Sequence, residues 1–176
     1  MWTSFIGFMA SGKSKVTADL LASTSRPAVS VDQMVVQKQG CSISEIFETQ
    51  GQAAFRQMEL NALKELDPSR NLLVDTGGGI VETAAAVSLL RSNGVVIWLD
   101  CPWEIVRARL KKASGRVRPL VNELGWEGLE DLFSRRRPLY AAAADFRLHS
   151  VGDLENLSQT AMLRSIIWQR HNEKSK

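Results

Sequence analysis

Apolar positions along this 176-residue chain alternate between two periods. Five runs have strand length: "WTSFI" (2–6), "RPAVSV" (26–31), "NLLVD" (71–75), "GVVIWLD" (94–100) and "DFRLHS" (145–150). "GVVIWLD" is apolar nearly throughout, as expected of a parallel strand buried on both faces. Elsewhere apolar residues recur at helical spacing. Val16, Leu20 and Leu21 make a stripe in 13–22, and "QMVVQKQG" (33–40) stops at Gly40. "SISEIFETQG" (42–51) opens with Ser42 and Glu45 at capping-box spacing. Residues 52–66 carry Phe55, Met58, Leu63 and Leu66 on one side, and Pro102 opens the helix at 102–112. Further helices are expected at 127–143 and 154–170, with a frayed tail beyond. Residues 112–125 are polar and Gly-bearing, which predicts a mobile segment.

Strand–helix alternation without repeats or a dividing linker predicts one α/β domain over 1–176, a parallel sheet with helices on both faces. Ligands of such sheets bind beyond the carboxyl ends of the strands. That rim gathers the loop after the first strand, Asp32 after the second, and Gly77, Gly78 and Gly79 after the third. Composition changes the picture little. Hydrophobic content is 44%, charged content 23% and net charge +3, too small to argue for nucleic acid and suited to small anions. Cys41 and Cys101 follow no metal-ligand spacing and read as free thiols of a reducing cytoplasm. No run reaches membrane-span length, and the N-terminus shows no charged-then-apolar signal pattern.

The chemistry starts at "GFMASGKS" (7–14). Gly7, Gly12, Lys13 and Ser14 fill the phosphate-loop pattern, with Ala10, Ser11 and Lys15 completing the candidate ATP cradle. Backbone N–H groups curl around phosphate oxygens where no Cβ intervenes, and the helix that follows turns its positive end toward them. Lys13 is expected to reach the β- and γ-phosphates, and the Ser14 hydroxyl to ligate Mg²⁺. A chance glycine turn would not have a strand before it, a helix after it and all four positions filled. "DTGGGIV" (75–81) is either a plain turn or a place where a ligand approaches the backbone. Asp32 is either a proton acceptor for a substrate hydroxyl or a helix N-cap. Most arginines are ordinary solvated side chains. Transfer of a small anion, however, needs one bidentate clamp, for which Arg136 or Arg56 is placed, and one cation for the moving phosphoryl group, for which Arg118 in the polar segment is placed.

Together these residues resemble shikimate kinase. The match runs over about residues 4–150 and rests on "GFMASGKS", "VDQMVVQKQGCSISEIFETQGQAAFRQME", "DTGGGIV", "VIWLD", "RPL" (118–120) and "RRPLYAAAAD" (136–145). The resemblance implies a three-layer α/β/α sandwich with a five-stranded parallel sheet, of the P-loop, nucleoside-monophosphate-kinase-like type. It implies ATP-dependent phosphorylation of the shikimate 3-hydroxyl, with Mg²⁺, by a cytoplasmic monomer that takes ATP and shikimate and needs neither nucleic acid nor membrane. Lys13, Asp32 and Arg118 become the expected catalytic residues. Arg56 and Arg136 would clamp the substrate carboxylate, Gly77, Gly78 and Gly79 would offer backbone donors, and Phe47 and Phe55 would pack on the ring. Lys111 falls where an arginine usually covers the adenine, Arg118 would act from a lid at about 112–125, and Glu59 would orient Arg56.

Three positions depart from the family pattern. Ser30 stands two residues before Asp32, where the family has an aspartate near Mg²⁺. Gln52 replaces a glutamate, and Asp75 replaces a small residue. Asp75 is therefore a candidate, with Ser14, for holding the metal, or else a cap for the glycine turn. The alternatives to this function are a related kinase acting on a gluconate-type substrate and a non-catalytic binding protein of the same fold.

Overall fold

The structure is a computed structural model and describes residues 1–112, 119–151 and 160. The middle of the expected lid, including Arg118, lies outside the described residues, as does the expected closing helix apart from Thr160. The five apolar runs become strands β1 (Trp2–Ile6), β2 (Ala28–Ser30), β3 (Leu73–Asp75), β4 (Gly94–Asp100) and β5 (Phe146–His149). They pair in parallel in the order β2-β3-β1-β4-β5. Helices α1 (Lys13–Ser23), α2 (Val31–Gln39), α3 (Ile43–Lys64), α4 (Ala84–Asn93), α5 (Trp103–Lys112) and α6 (Pro119–Ala143) connect them, with a short 3-10 turn at Ile80–Glu82.

Side-chain alternation along β4 builds the layers. Val95, Ile97 and Leu99 join Phe5, Val16 and Leu20, so α1 covers one face. Val96 and Trp98 face the other way, into the core shared with Val106, Leu129, Phe133 and Tyr140 from α5 and α6. All seven residues of β4 are buried, which explains its unbroken apolar run. Trp98 stacks on Tyr140 with centroids 5.9 Å apart, while Phe8 meets Phe133 edge-on at 5.3 Å. At the end of β4 the buried carboxylate of Asp100 takes hydrogen bonds from Arg137 at 2.8 Å and Arg147 at 2.5 Å, tying α6 and β5 to the central sheet. Among the described residues no helix is long and apolar enough to cross a membrane.

Three details differ from the sequence expectation. Helix α4 was not expected, because Ala84, Ala85 and Ala86 blur the contrast between its faces; only Ala86 and Leu90 are buried. The two helices expected at 42–51 and 52–66 are both present, meeting within α3 at a kink where Gly51 has φ 82° and ψ 167°. Its start carries the expected capping box: Ser42 accepts from the Glu45 N–H, and Glu45 accepts from the Ser42 N–H. In the expected lid, residues 119–124 are helical rather than loop, and the chain breaks instead at Gly125 with φ 63°. Finally, α2 begins at Val31, so its N-cap is Ser30, whose hydroxyl accepts from Gln33 N at 3.4 Å. Asp32 lies one residue inside the helix and is not the cap.

Candidate active site

The phosphate loop leaves β1 at Ile6 and enters α1 at Lys13. Gly12 caps α1 at φ 104°, a conformation that suits glycine, and supplies no side-chain bond; the first turn holds no acidic residue. The first N–H groups of α1 therefore remain available to an anion. Ala10 has φ 59°, a strained geometry for a residue with a Cβ, and the Ser11 N–H after it closes a turn on the Phe8 carbonyl at 3.2 Å. Lys13 folds back into the loop, its ammonium donating to the Gly7 carbonyl at 2.9 Å and the Phe8 carbonyl at 3.0 Å. Lys13, Ser14 and Lys15 line a cavity of about 420 Å³, together with Ser30, Asp75 and Arg109. Ser11 is wholly buried beneath it.

A second cavity, of about 160 Å³, adjoins the first through Met9, Asp32 and Gly78, which line both. Every position expected on the acceptor side reaches it. Phe47 and Phe55, edge to face at 5.1 Å, form an apolar wall with Ile43 and Leu120. Gly77, Gly78 and Gly79 form a backbone wall, anchored by the Thr76 hydroxyl on the Phe5 carbonyl at 2.8 Å and the Tyr140 hydroxyl on the Gly78 carbonyl. Two of the glycines lie directly against charged side-chain ends. A Cβ at Gly79 would overlap the Arg56 guanidinium, and one at Gly77 would overlap the carboxylates of Glu59 and Asp32.

The polar wall is a charge chain. Arg56 pairs with Glu59 and also reaches Glu82 at 3.3 Å. Arg136, only 1% exposed, forks onto Glu82 with Nε at 3.1 Å and Nη2 at 2.8 Å. Asp32 Oδ1 and Glu59 Oε1 are buried without a hydrogen-bond partner, both beside Gly77. Burial raises the Asp32 pKa and the charge of Asp75 adds to it, against the pull of Lys13 and Arg56. Burial likewise pushes the Glu59 carboxyl up to about 7, opposed chiefly by Arg56. Burial alone would raise Glu82 too, but the hydrogen bonds and charges of Arg136 and Arg56 outweigh it and hold Glu82 below its ordinary value.

The chain has counterparts among known proteins. The family model for shikimate kinase matches residues 9–166. A shikimate kinase of Synechococcus sp. (strain JA-3-3Ab) is 39% identical over 165 residues, covering 93% of this chain and 84% of that protein. One from Aquifex aeolicus (strain VF5) is 37% identical over 138 residues, covering 78% of this chain and 80% of that protein. The solved structure of shikimate kinase from Acinetobacter baumannii in complex with shikimate superposes with a TM-score of 0.85 at 30% identity, covering 94% of this chain and 92% of that one. The chain belongs to the shikimate kinase family.

Two basic side chains of α5 part company. Lys111 does not reach the phosphate cavity. Its ammonium sits 5.5 Å over the Trp126 ring and lines a separate surface cavity with Arg107 and Glu130. Helical geometry explains this: two residues are about 200° of rotation, so Lys111 and Arg109 point to opposite sides of α5. Arg109 takes the inner side, donating to the Ala10 carbonyl at 3.0 Å. Sequence reasoning missed Arg109 because four cations crowd the helix (Arg107, Arg109, Lys111 and Lys112), and only packing tells them apart. It also missed Met9, Ile43 and Leu120, apolar residues inside the quoted motifs, and Glu82, which lies just beyond one.

The Glu59 shift has a consequence for stability. With its folded pKa near 7 and its ordinary value near 4.5, the native chain binds more protons than the unfolded chain between those limits. Stability therefore falls as pH rises from about 4.5 to about 7, and the raised Asp32 acts in the same direction. Glu59→Gln should flatten the Tm–pH profile over this window, whatever it does to the absolute Tm. A variant profile parallel to the parent's would show that Glu59 stays ionised throughout.

Proposed function

We propose that this chain transfers the γ-phosphoryl group of ATP to the 3-hydroxyl of shikimate, giving shikimate 3-phosphate and ADP. The observation that carries this reading is the position of Asp32, shared by a phosphate-binding cavity and an adjoining arginine-lined cavity. A hydroxyl held there lies between a proton acceptor and the phosphate loop. The Asp32 oxygen has no partner in its buried setting and its proton affinity is raised, both of which suit a general base. Since Ser30 caps α2, Asp32 is not needed by the helix end.

On the nucleotide side, the α1 N-terminus and the backbone of residues 7–12 hold the phosphates. Lys13 exchanges its two carbonyl contacts for phosphate oxygens. On the acceptor side, Arg56 and Arg136 hold the substrate carboxylate, and Phe47 and Phe55 exclude water from the ring. Arg118 supplies positive charge to the transferring group from the lid. We further propose a single-domain, cytoplasmic monomer acting without nucleic acid or membrane, in keeping with its small net charge of +3 and the free thiols of Cys41 and Cys101.

The residues present fit Mg²⁺. Ser14 and the Asp75 carboxylate line one cavity and are oxygen donors suited to a hard cation. Among the described residues Asp75 bonds no backbone N–H of the glycine turn, so it is not acting as the turn's cap. Asp75 is also the cross-strand register partner of Ser30, so its charge lies one strand over from the family's aspartate. When bound, Mg²⁺ supplies charge neutralisation at the β- and γ-phosphate oxygens.

Three measurements test this assignment. ADP release should require shikimate and Mg²⁺, and equal or faster release with gluconate would overturn the choice of acceptor. Arg109→Ala should raise KM for ATP on the order of ten-fold, as loss of a charged hydrogen bond does, whereas Lys111→Ala should change it less than about two-fold. The reverse ranking would return the nucleotide contact to Lys111. Asp75→Asn should raise the Mg²⁺ needed for half-maximal rate on the order of ten-fold, and adding Ser30→Asp should restore part of that loss. An unchanged Mg²⁺ requirement would remove Asp75 from the metal site.

A further inference from the structure

Arg56 and Arg136 face the smaller cavity, yet both already hold a carboxylate that belongs to the chain. Glu82 takes the Nε–Nη2 edge of Arg136, the edge that would receive a ligand carboxylate side-on, and also the Nη2 group of Arg56. With Glu59 on the Nη1 group of Arg56, two cations meet two carboxyl groups. We propose that Glu82 is a built-in competitor for the arginine pair, lowering the affinity of this cavity for an anionic substrate. The proposal rests on the reading that the cavity holds the substrate carboxylate.

Glu82 could act instead by holding the arginines in place, and magnitudes separate the two. Orienting one long side chain is worth at most about ten-fold in affinity. Here much of that orientation comes from packing: Arg136 is 1% exposed with its guanidinium 5.9 Å from the Phe8 ring centroid, and Arg56 lies 5.5 Å from that of Phe55. A negative charge about 6 Å from an incoming carboxylate, at an effective dielectric near 20, weakens binding by up to about 100-fold. The Glu82 side chain is 31% exposed, and solvent screening reduces this to on the order of ten-fold. Because packing already holds both guanidinium groups, little of the orienting gain falls to Glu82, and repulsion is the larger effect. A clamp neutralised in this way works at higher substrate concentration, and it discriminates less against an uncharged ligand of the same shape.

The test is an equilibrium titration without ATP, using shikimate and its methyl ester as probes. Glu82→Gln should bind shikimate on the order of ten-fold more tightly than the parent chain, with the ester changed less than about two-fold. Should that variant not fold, Glu82→Asp, whose shorter side chain cannot keep both contacts to Arg136, should tighten shikimate by a smaller factor in the same direction. Unchanged or weaker shikimate binding overturns the proposal. So does a parallel shift of both probes, which marks a purely structural role. Failure of the kinase reading is seen separately, as no shikimate-dependent ADP release from the parent chain, and leaves the titration able to decide the role of Glu82.

Discussion

Everything at this site depends on β1 and β3 lying side by side. Thr3, Ser4 and Phe5 pair with Leu73, Val74 and Asp75, so the phosphate loop and the glycine turn leave the sheet at the same level. The Thr76 hydroxyl on the Phe5 carbonyl fixes the turn to the strand that feeds the phosphate loop. At the adjoining pair, connections depart in opposite directions, β1 toward the β2 edge and β3 toward β4. A crevice opens where neighbouring connections diverge, and the two cavities meet there. A parallel sheet buried on both faces holds this geometry without help from ligand.

The second constraint is electrostatic. Arg136 is almost wholly buried, and a buried guanidinium without partners would cost several kcal/mol. Glu82 supplies the partner in the free chain, so the fold can keep a cation at the cavity wall before substrate arrives. Glu59 does the same for Arg56. The contacts that stabilise the free chain are thus the same ones that occupy the guanidinium groups at the cavity wall. Asp32 and Glu59 add a second tension, because two buried carboxyls converge beside Gly77 and favour keeping a proton. A substrate that donates hydroxyl hydrogen bonds to Asp32 would relieve the desolvation of its unpartnered oxygen.

The sequence makes the fold legible because its strands are apolar runs with no competing period. It makes the acceptor cavity legible because Asp32, Arg56, Gly77, Gly78, Gly79 and Arg136 sit in motifs that resemble a known family. What it hides has specific causes. Helix α4 is missed where alanines weaken the amphipathic signal. Arg109 is missed because identity and spacing alone do not say which face of α5 looks inward; the packed helix does. Glu82 is invisible because a lone glutamate after a glycine turn matches no pattern, and its meaning comes only from the two guanidinium groups that converge on it.

Ser30 and Asp75 show how a departure from a family pattern can be conservative in three dimensions. Read along the chain, they are unrelated changes 45 positions apart: an acid lost at one and an acid gained at the other. The sheet makes them register partners on β2 and β3. Neighbouring strands lie about 4.8 Å apart, so the charge moves by about one strand spacing and stays on the wall of the same cavity. Ser30 meanwhile gains a task that suits a hydroxyl, since its oxygen caps α2 at Gln33. With that cap in place, Asp32 is not drawn into bonding the helix end and keeps its buried oxygen free of local partners. The exchange thus preserves the local charge on the cavity wall and leaves Ser30 to cap α2.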